Sequence, residues 1–155
     1  MEYLIECKAI TTYKKVDLFT KDFESVGKIT FPKSKKYDVM LESIGQETLF
    51  AKSNLFKLQN RYVIFNNEEK VLATVRAGVK IIHSIIQAEN YYFVKASLFK
   101  MQYELYDNRV LIGELKVVRH NHKRYFHISS TKEDFTAIFA LFLLAHAVRI
   151  KSIVT

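Results

Sequence analysis

From Phe135 to Ile150 the chain reads FTAIFALFLLAHAVRI, and this stretch decides how the 155 residues can fold. Thirteen of its sixteen residues are apolar, and only Thr136, His146 and Arg149 interrupt the run. A helix that is apolar on every side has to be buried on every side. The stretch must therefore lie either inside a bilayer or in the interior of a protein.

The length of the run argues against a bilayer. Sixteen helical residues rise about 24 Å, at 1.5 Å for each residue, whereas the hydrocarbon core is roughly 30 Å thick. His146 and Arg149 shorten the uncharged part further. We therefore expect a helix enclosed by the rest of the chain, and a membrane tail anchor is the alternative.

The residues before this run predict where the helix starts. Thr131 with Asp134, or Ser130 with Glu133, has the spacing of a capping box. The acids suit the positive end of the helix dipole, and Arg149 suits the opposite end.

Upstream of the helix, alternating apolar and polar residues predict antiparallel strands. The clearest hairpin joins Leu98–Tyr106 to Val110–Arg119 through a turn at Asp107-Asn108. Four further segments read as strands or hairpins: Glu2–Ile10, Tyr62–Phe65 with Val71–Ala77, and Tyr125–Ile128 after a turn at His120–Lys123.

Three segments are harder to assign. A hairpin around Glu24-Ser25 is expected within Phe19–Phe31, and one or two strands within Leu49–Leu58. Val79–Ile86 has isoleucines at helical spacing, but its β-branched residues favour a strand. Enclosing a helix about 10 Å wide needs on the order of ten or more strands. We therefore expect a mainly β, single-domain chain over residues 1–155, in which a closed antiparallel barrel surrounds the C-terminal helix.

Composition limits the cellular setting and the partner. The formal net charge is +8 and the isoelectric point is near 9.5, which favours an anionic partner. Cys7 is the only cysteine, so no intramolecular disulfide can form, and its phase with apolar neighbours suggests a small buried thiol. The N-terminus carries acids where a signal peptide would carry Lys or Arg. A cytoplasmic protein, able to contact a membrane peripherally, is expected.

The order of these elements resembles the tubby C-terminal-like superfamily, which includes tubby domains, LURP-one-related proteins and phospholipid scramblases. The resemblance lies in the hairpin Tyr103–Leu115, the strand Tyr125–Ile128, and Glu133-Asp134 before an Ala/Leu/Phe-rich helix. Arg61–Val75 looks like an internal copy of that hairpin. The compact prokaryotic LURP-one-like type is the most similar. The resemblance implies a twelve-stranded barrel around a central helix, with phosphoinositide binding known in tubby domains and lipid movement in scramblases. It transfers no individual lipid-binding residue.

Two basic segments are the candidate binding site for an anionic ligand. The first is Arg119, His120, His122, Lys123 and Arg124, on a predicted hairpin turn, and the second is Lys33, Lys35 and Lys36, in a predicted loop. Phosphate head groups could meet these cations. The alternative is that both segments are solvated turns that keep the protein in solution, and the sequence does not show whether they share a face.

Other chemistry has weaker support in the sequence. His120 and His122 could face one metal ion, but a third ligand would have to come from His127, His83 or distant acids. No nucleophile elbow, phosphate loop or paired acids are present, so no enzymatic activity and no cofactor is expected. His146 is expected to be a core histidine that is hydrogen-bonded to the backbone. The expected function is a non-catalytic module that binds anionic phospholipid head groups. The alternatives are a nucleic-acid-binding β-domain or a structural, protein-interaction role.

Overall fold

The computed structural model of the chain describes residues 2–7, 15–31, 37–54, 60–77, 83–97 and 102–154. Within these residues the chain forms twelve strands and then one helix, so it is mainly β. The strands are β1 (Glu2–Glu6), β2 (Lys15–Phe19), β3 (Ser25–Thr30), β4 (Val39–Ser43), β5 (Leu49–Asn54), β6 (Asn60–Asn66), β7 (Val71–Ala77), β8 (His83–Gln87), β9 (Tyr91–Ser97), β10 (Gln102–Asp107), β11 (Val110–His120) and β12 (Lys123–Ser130), and the helix is α1 (Glu133–Val154).

All strand pairs are antiparallel. From β2 to β12, each strand lies beside the strand that follows it in sequence, and β1 lies on the free side of β12. β1 pairs with β12 over five residues, from Glu2–Ser129 to Glu6–Tyr125. The two ends of this order, β1 and β2, meet at one register position, Leu4–Phe19.

Two tight turns cap the ends of β11. Asn108 and Arg109 have φ of 45° and 70°, and Asn121 and His122 have φ of 48° and 64°. Two successive residues with positive φ define the turn that matches the twist of a two-residue hairpin. The predicted β11–β12 turn is confirmed. The predicted β10–β11 turn was wrong by one residue, because Asp107 pairs with Val110 and Asn108-Arg109 forms the turn.

Most of the predicted strands are found where the structure describes them. The hairpin predicted within Phe19–Phe31 was wrong in its first strand, because β2 ends at Phe19 and residues 20–24 form the turn, whereas β3 confirms its second strand. β8 confirms the strand assignment for the described end of Val79–Ile86. Residues 8–10, 55–58, 79–82 and 98–101 of the predicted strands lie outside the described residues. The sequence analysis missed β2, β4 and β9.

The apolar run lies inside the protein. Every residue from Phe135 to His146 is buried, which covers all sides of α1 over three turns. This part of α1 contacts β4, β5 and β6 on one side and β12 on another, and the Phe135 ring lies 4.2 Å from that of Tyr92 in β9. In the described part of the chain, no helix combines the length and apolarity that crossing a membrane would require.

The start of α1 differs from the predicted capping box. The Lys132 carbonyl accepts the first bonds, from the N–H groups of Phe135 (3.1 Å) and Thr136 (3.2 Å). The Ser130 hydroxyl accepts from the N–H of Lys132 at 3.2 Å. The helix thus begins after Lys132, later than either predicted register.

His146 is a core residue, as predicted. It is 7% exposed, and its Nδ1 lies 2.9 Å from the hydroxyl of the fully buried Tyr62. The Phe142 ring stacks on the imidazole at a centroid distance of 5.7 Å. A buried polar ring that is hydrogen-bonded in this way can be accommodated without a catalytic role.

Replacing Leu141 by aspartate tests the burial of the helix. Leu141 is fully buried, so Leu141→Asp places an unpaired charge in the core and should abolish cooperative folding. Circular dichroism during thermal unfolding is the measurement. Ile44→Asp is the control, because Ile44 is 79% exposed and this variant should melt like the parent. A soluble Leu141→Asp protein with a cooperative transition would show that α1 is not enclosed.

Candidate functional site

The strand order determines at which end of the sheet each strand begins and ends. Since every pair is antiparallel and consecutive, the chain alternates between the ends with each strand. Strands β1, β3, β5, β7, β9 and β11 therefore end at one end of the sheet, where the next strand in sequence begins. The connections β4–β5, β6–β7, β8–β9 and β10–β11 lie at the other end, with the β12–α1 junction, whereas Phe23 of the β2–β3 turn contacts the β11–β12 turn at the first end.

We call the first of these the basic end. The described part of it is the β11–β12 turn, residues 119–124, with Arg119, Lys123 and Arg124. The other five connections include residues 8–14, 32–36, 55–59, 78–82 and 98–101, which lie outside the described residues. By sequence, these segments contain eight lysines and no Asp or Glu. The acids in the described residues beside this end are Glu6 and Asp38, together with Asp22 and Glu24 of the β2–β3 turn, which contacts the β11–β12 turn.

The opposite end, which we call the acidic end, has the reverse charge. It comprises residues 44–48, 67–70, 88–90, 107–109 and 131–134, which include the last residue of β10 and the first two of α1 and contain seven acids against three lysines and arginines. By sequence, the segments that follow odd-numbered strands and those of the acidic end therefore differ in the sign of their net charge, which orients a protein in the field of a charged partner.

The β11–β12 turn concentrates cations at its tip. Arg119 lies opposite Arg124 and His120 lies opposite Lys123, and all six residues of the turn are exposed. Like charges directly opposite each other destabilise a strand pair. The ion pairs formed between described residues lie elsewhere, at Lys116–Glu114, His127–Glu2 and Lys132–Asp107. Among the described residues, no acid neutralises this turn through an ion pair.

An aromatic ring from the β2–β3 turn packs against the β11–β12 turn. The Phe23 ring stacks on His120, with centroids 4.0 Å apart, and meets Tyr125 edge-on at 5.2 Å. The amide nitrogen of Asn121 lies 3.2 Å from His120 Nε2. Phe23 has φ of 62°, which costs a bulky residue free energy. Phe23 of this strained β2–β3 turn thus holds the His120 side of the β11–β12 turn in place.

The sheet is covered on its outer face at this point. Phe126 belongs to the core, so Tyr125 next to it points outward. Leu4 of β1 also points outward, because Tyr3 and Ile5 on either side of it belong to the core. Tyr125 and Leu4 are nevertheless 8% and 4% exposed. The β2–β3 turn that carries Phe23 is the cover for Tyr125. The β11–β12 turn therefore extends from a part of the sheet that is buried on both faces.

Cys7 follows β1 and packs partly against the core. Burial raises the pKa of its thiol, and the nearby positive charge of Arg124 opposes this effect without overcoming it. The thiol is thus less reactive than an ordinary cysteine. This agrees with its interpretation as a packing residue, although it is half-buried and not fully buried.

The structure brings part of the predicted site together. Arg119, His120, His122, Lys123 and Arg124 share one turn. Lys33, Lys35 and Lys36 lie outside the described residues, but β3 ends and β4 begins at the end where this turn lies. The sequence analysis missed the contact of Phe23 with this turn, and nothing in the sequence indicates that contact.

Metal binding gains no support from the geometry. Within the described ranges, no three His, Cys, Asp or Glu side chains are grouped so that they could hold one metal ion. His120 and His122 are adjacent in the turn, where His120 stacks on Phe23.

Comparison with protein-family models, with curated proteins and with solved structures gives no match for this chain. The geometry and charge of the chain itself are therefore what any functional proposal has to rest on.

Proposed function

We propose that this protein is a non-catalytic binding module that docks its basic end on anionic phospholipid head groups. The observation that carries the proposal is the charge segregation between the two ends of the sheet. By sequence, eleven lysines and arginines belong to the basic-end segments, residues 7–14, 31–38, 55–59, 78–82, 98–101 and 119–124, against one acid, Asp38; Asp22 and Glu24 lie beside Phe23 in the β2–β3 turn. A surface of one sign, mounted on a rigid sheet, is suited to an extended anionic partner.

The size of the electrostatic attraction favours binding through the whole basic end over binding through the β11–β12 turn alone. Each Lys or Arg near an anionic membrane contributes about 1 kcal/mol. The three cations of the β11–β12 turn would contribute about 3 kcal/mol, which is less than the roughly 4 kcal/mol of a millimolar complex. If several of the eight lysines in the other basic-end segments also contact the membrane, the total attraction reaches about 8 kcal/mol, which corresponds to micromolar binding.

Binding to nucleic acid is the alternative, and the aromatic side chains of the described residues do not favour it. Single-stranded bases need exposed aromatic faces beside cations. In the described residues the exposed aromatics are Tyr91 and Phe93, at the start of β9, and this start lies at the acidic end. The ring nearest the basic turn, Phe23, is already packed between His120 and Tyr125.

We further propose that the sheet closes into a barrel around α1, as in the tubby-like proteins that the sequence resembles. The support is that β1 and β2 meet at Leu4–Phe19 and that α1 is buried on all sides over residues 135–146. A closed sheet also leaves no exposed edge for pairing with another chain.

Amide hydrogen exchange tests the closure. If β1 and β2 are paired, the amides of Leu4 and Phe19 should exchange as slowly as those in the neighbouring β1–β12 ladder. The amide of Gly45, in the exposed β4–β5 connection, gives the fast reference. Rapid exchange along both facing edges of β1 and β2 would show an open seam.

Vesicle flotation tests the lipid proposal. The protein should float with vesicles that contain phosphatidylserine and remain behind with phosphatidylcholine alone, and salt should reverse the binding. The triple variant Arg119→Glu, Lys123→Glu, Arg124→Glu should lose at least about a hundredfold in affinity, since about 3 kcal/mol of attraction becomes repulsion.

The matched control carries the same change in charge at the acidic end. Lys70→Glu and Arg109→Glu lie in two of its turns, and this double variant, compared with the double variant Lys123→Glu and Arg124→Glu, should keep most of the vesicle binding. Equal losses in the two variants would show that only net charge matters. Equal recovery on neutral and anionic vesicles, or binding of a single-stranded oligonucleotide without vesicle binding, would contradict the proposal.

A further inference from the structure

A cavity of about 690 Å³ opens at the acidic end. It lies between the first turns of α1 and the strand ends of β5, β7 and β9. Its volume is within the range of about 300–1,000 Å³ that is typical of small-molecule sites, which often occupy the mouths of β-barrels. It is far from the basic end, because β11 alone separates the two ends by roughly 35 Å.

The inner wall of this cavity is apolar. It is formed by Leu49, Leu72, Ala88, Phe135, Ala137 and Ile138. Four of these, Leu49, Phe135, Ala137 and Ile138, are core residues at most 9% exposed, so the cavity reaches down to the core. The wall can therefore take an apolar body out of water, at about 25 cal/mol for each Å² buried.

Two carboxylates stand at the opening. Glu47 and Glu89 line the cavity and are exposed, and Glu47 Oε2 accepts a hydrogen bond from the Asn66 amide at 3.2 Å. Among the described residues, Glu89 forms no hydrogen bond or ion pair. Glu68 and Glu69 in the neighbouring β6–β7 turn add to the negative charge.

Among the described residues that line the cavity, the one cation is Lys132, and it already interacts with other groups of the protein. Lys132 Nζ donates to the Tyr92 hydroxyl at 2.7 Å and lies 3.9 Å from Asp107 Oδ2. It also lies over the Tyr92 ring at 5.0 Å. The hydrogen bond to Tyr92, with Asp107 and Glu89 nearby, raises the pKa of Lys132, so that it stays protonated. By sequence, Glu133 and Asp134 offset the positive end of the helix dipole beside it.

We propose that this cavity binds a cationic amphiphile, a molecule with an apolar body and a single ammonium group. The apolar body would lie against Phe135 and Ile138. The ammonium group would lie at the opening, near Glu47 and Glu89. An anionic amphiphile is disfavoured, because it would place its charge among these carboxylates and find Lys132 already occupied.

Isothermal titration calorimetry with three matched probes tests the proposal. Octylammonium, octanol and octanoate share one apolar chain and differ in the charge of the head group. We expect saturable one-to-one binding of octylammonium, weaker binding of octanol and the weakest of octanoate. Tighter binding of octanoate than octylammonium, or no saturable binding of any probe by the folded protein, would overturn the proposal.

Two sets of variants locate the site. Ala88→Phe places a ring at the opening and should abolish octylammonium binding. The pair Glu47→Gln and Glu89→Gln should weaken it about fivefold to tenfold, with little effect on octanol. Glu68→Gln with Glu69→Gln is the matched control, because these acids lie at the same end outside the cavity, and it should bind nearly as the parent does. If the two glutamine pairs weaken binding equally, the cavity is not the site, whether or not Ala88→Phe folds.

Discussion

The burial of one helix is the constraint on which the rest of this structure depends. Over three turns, from Phe135 to His146, α1 has no face that could be left in water. Two packed layers could cover only part of such a helix, so the chain needs a sheet that curves around it. Strands from both ends of the strand order, β4 to β6 and β12, pack on α1 for this reason.

The same arrangement separates the connections by charge. An antiparallel sheet in sequence order sends alternate connections to opposite ends, so residues far apart in sequence meet at one end. By sequence, eleven lysines and arginines fall in the basic-end segments, whereas seven of the sixteen acids fall in the segments of the acidic end. The proposed lipid-binding surface and the proposed amphiphile cavity lie at opposite ends for this reason, and each can change without disturbing the other.

The sequence predicts the parts of the fold that depend on periodicity. The apolar helix and the hairpins β6–β7, β10–β11 and β11–β12 follow from residue patterns alone. β9 was missed although Tyr92, Val94 and Ala96 alternate inward, because exposed Tyr91 and Phe93 hide the alternation. The basic turn was predicted from its charge density. The Phe23 contact, the cap at Lys132 and the cavity could not be, since each depends on contacts between distant segments.

The two ends of β11 allow the most direct test of the central claim, that the protein meets anionic lipid with one end only. Both are two-residue turns of the same backbone type, Asn108-Arg109 at the acidic end and Asn121-His122 at the basic end. Amide hydrogen exchange should be measured with and without phosphatidylserine vesicles. We expect slower exchange at residues 119–124 and no change at residues 107–110. Equal slowing at both turns, or slowing confined to 107–110, would contradict the claim.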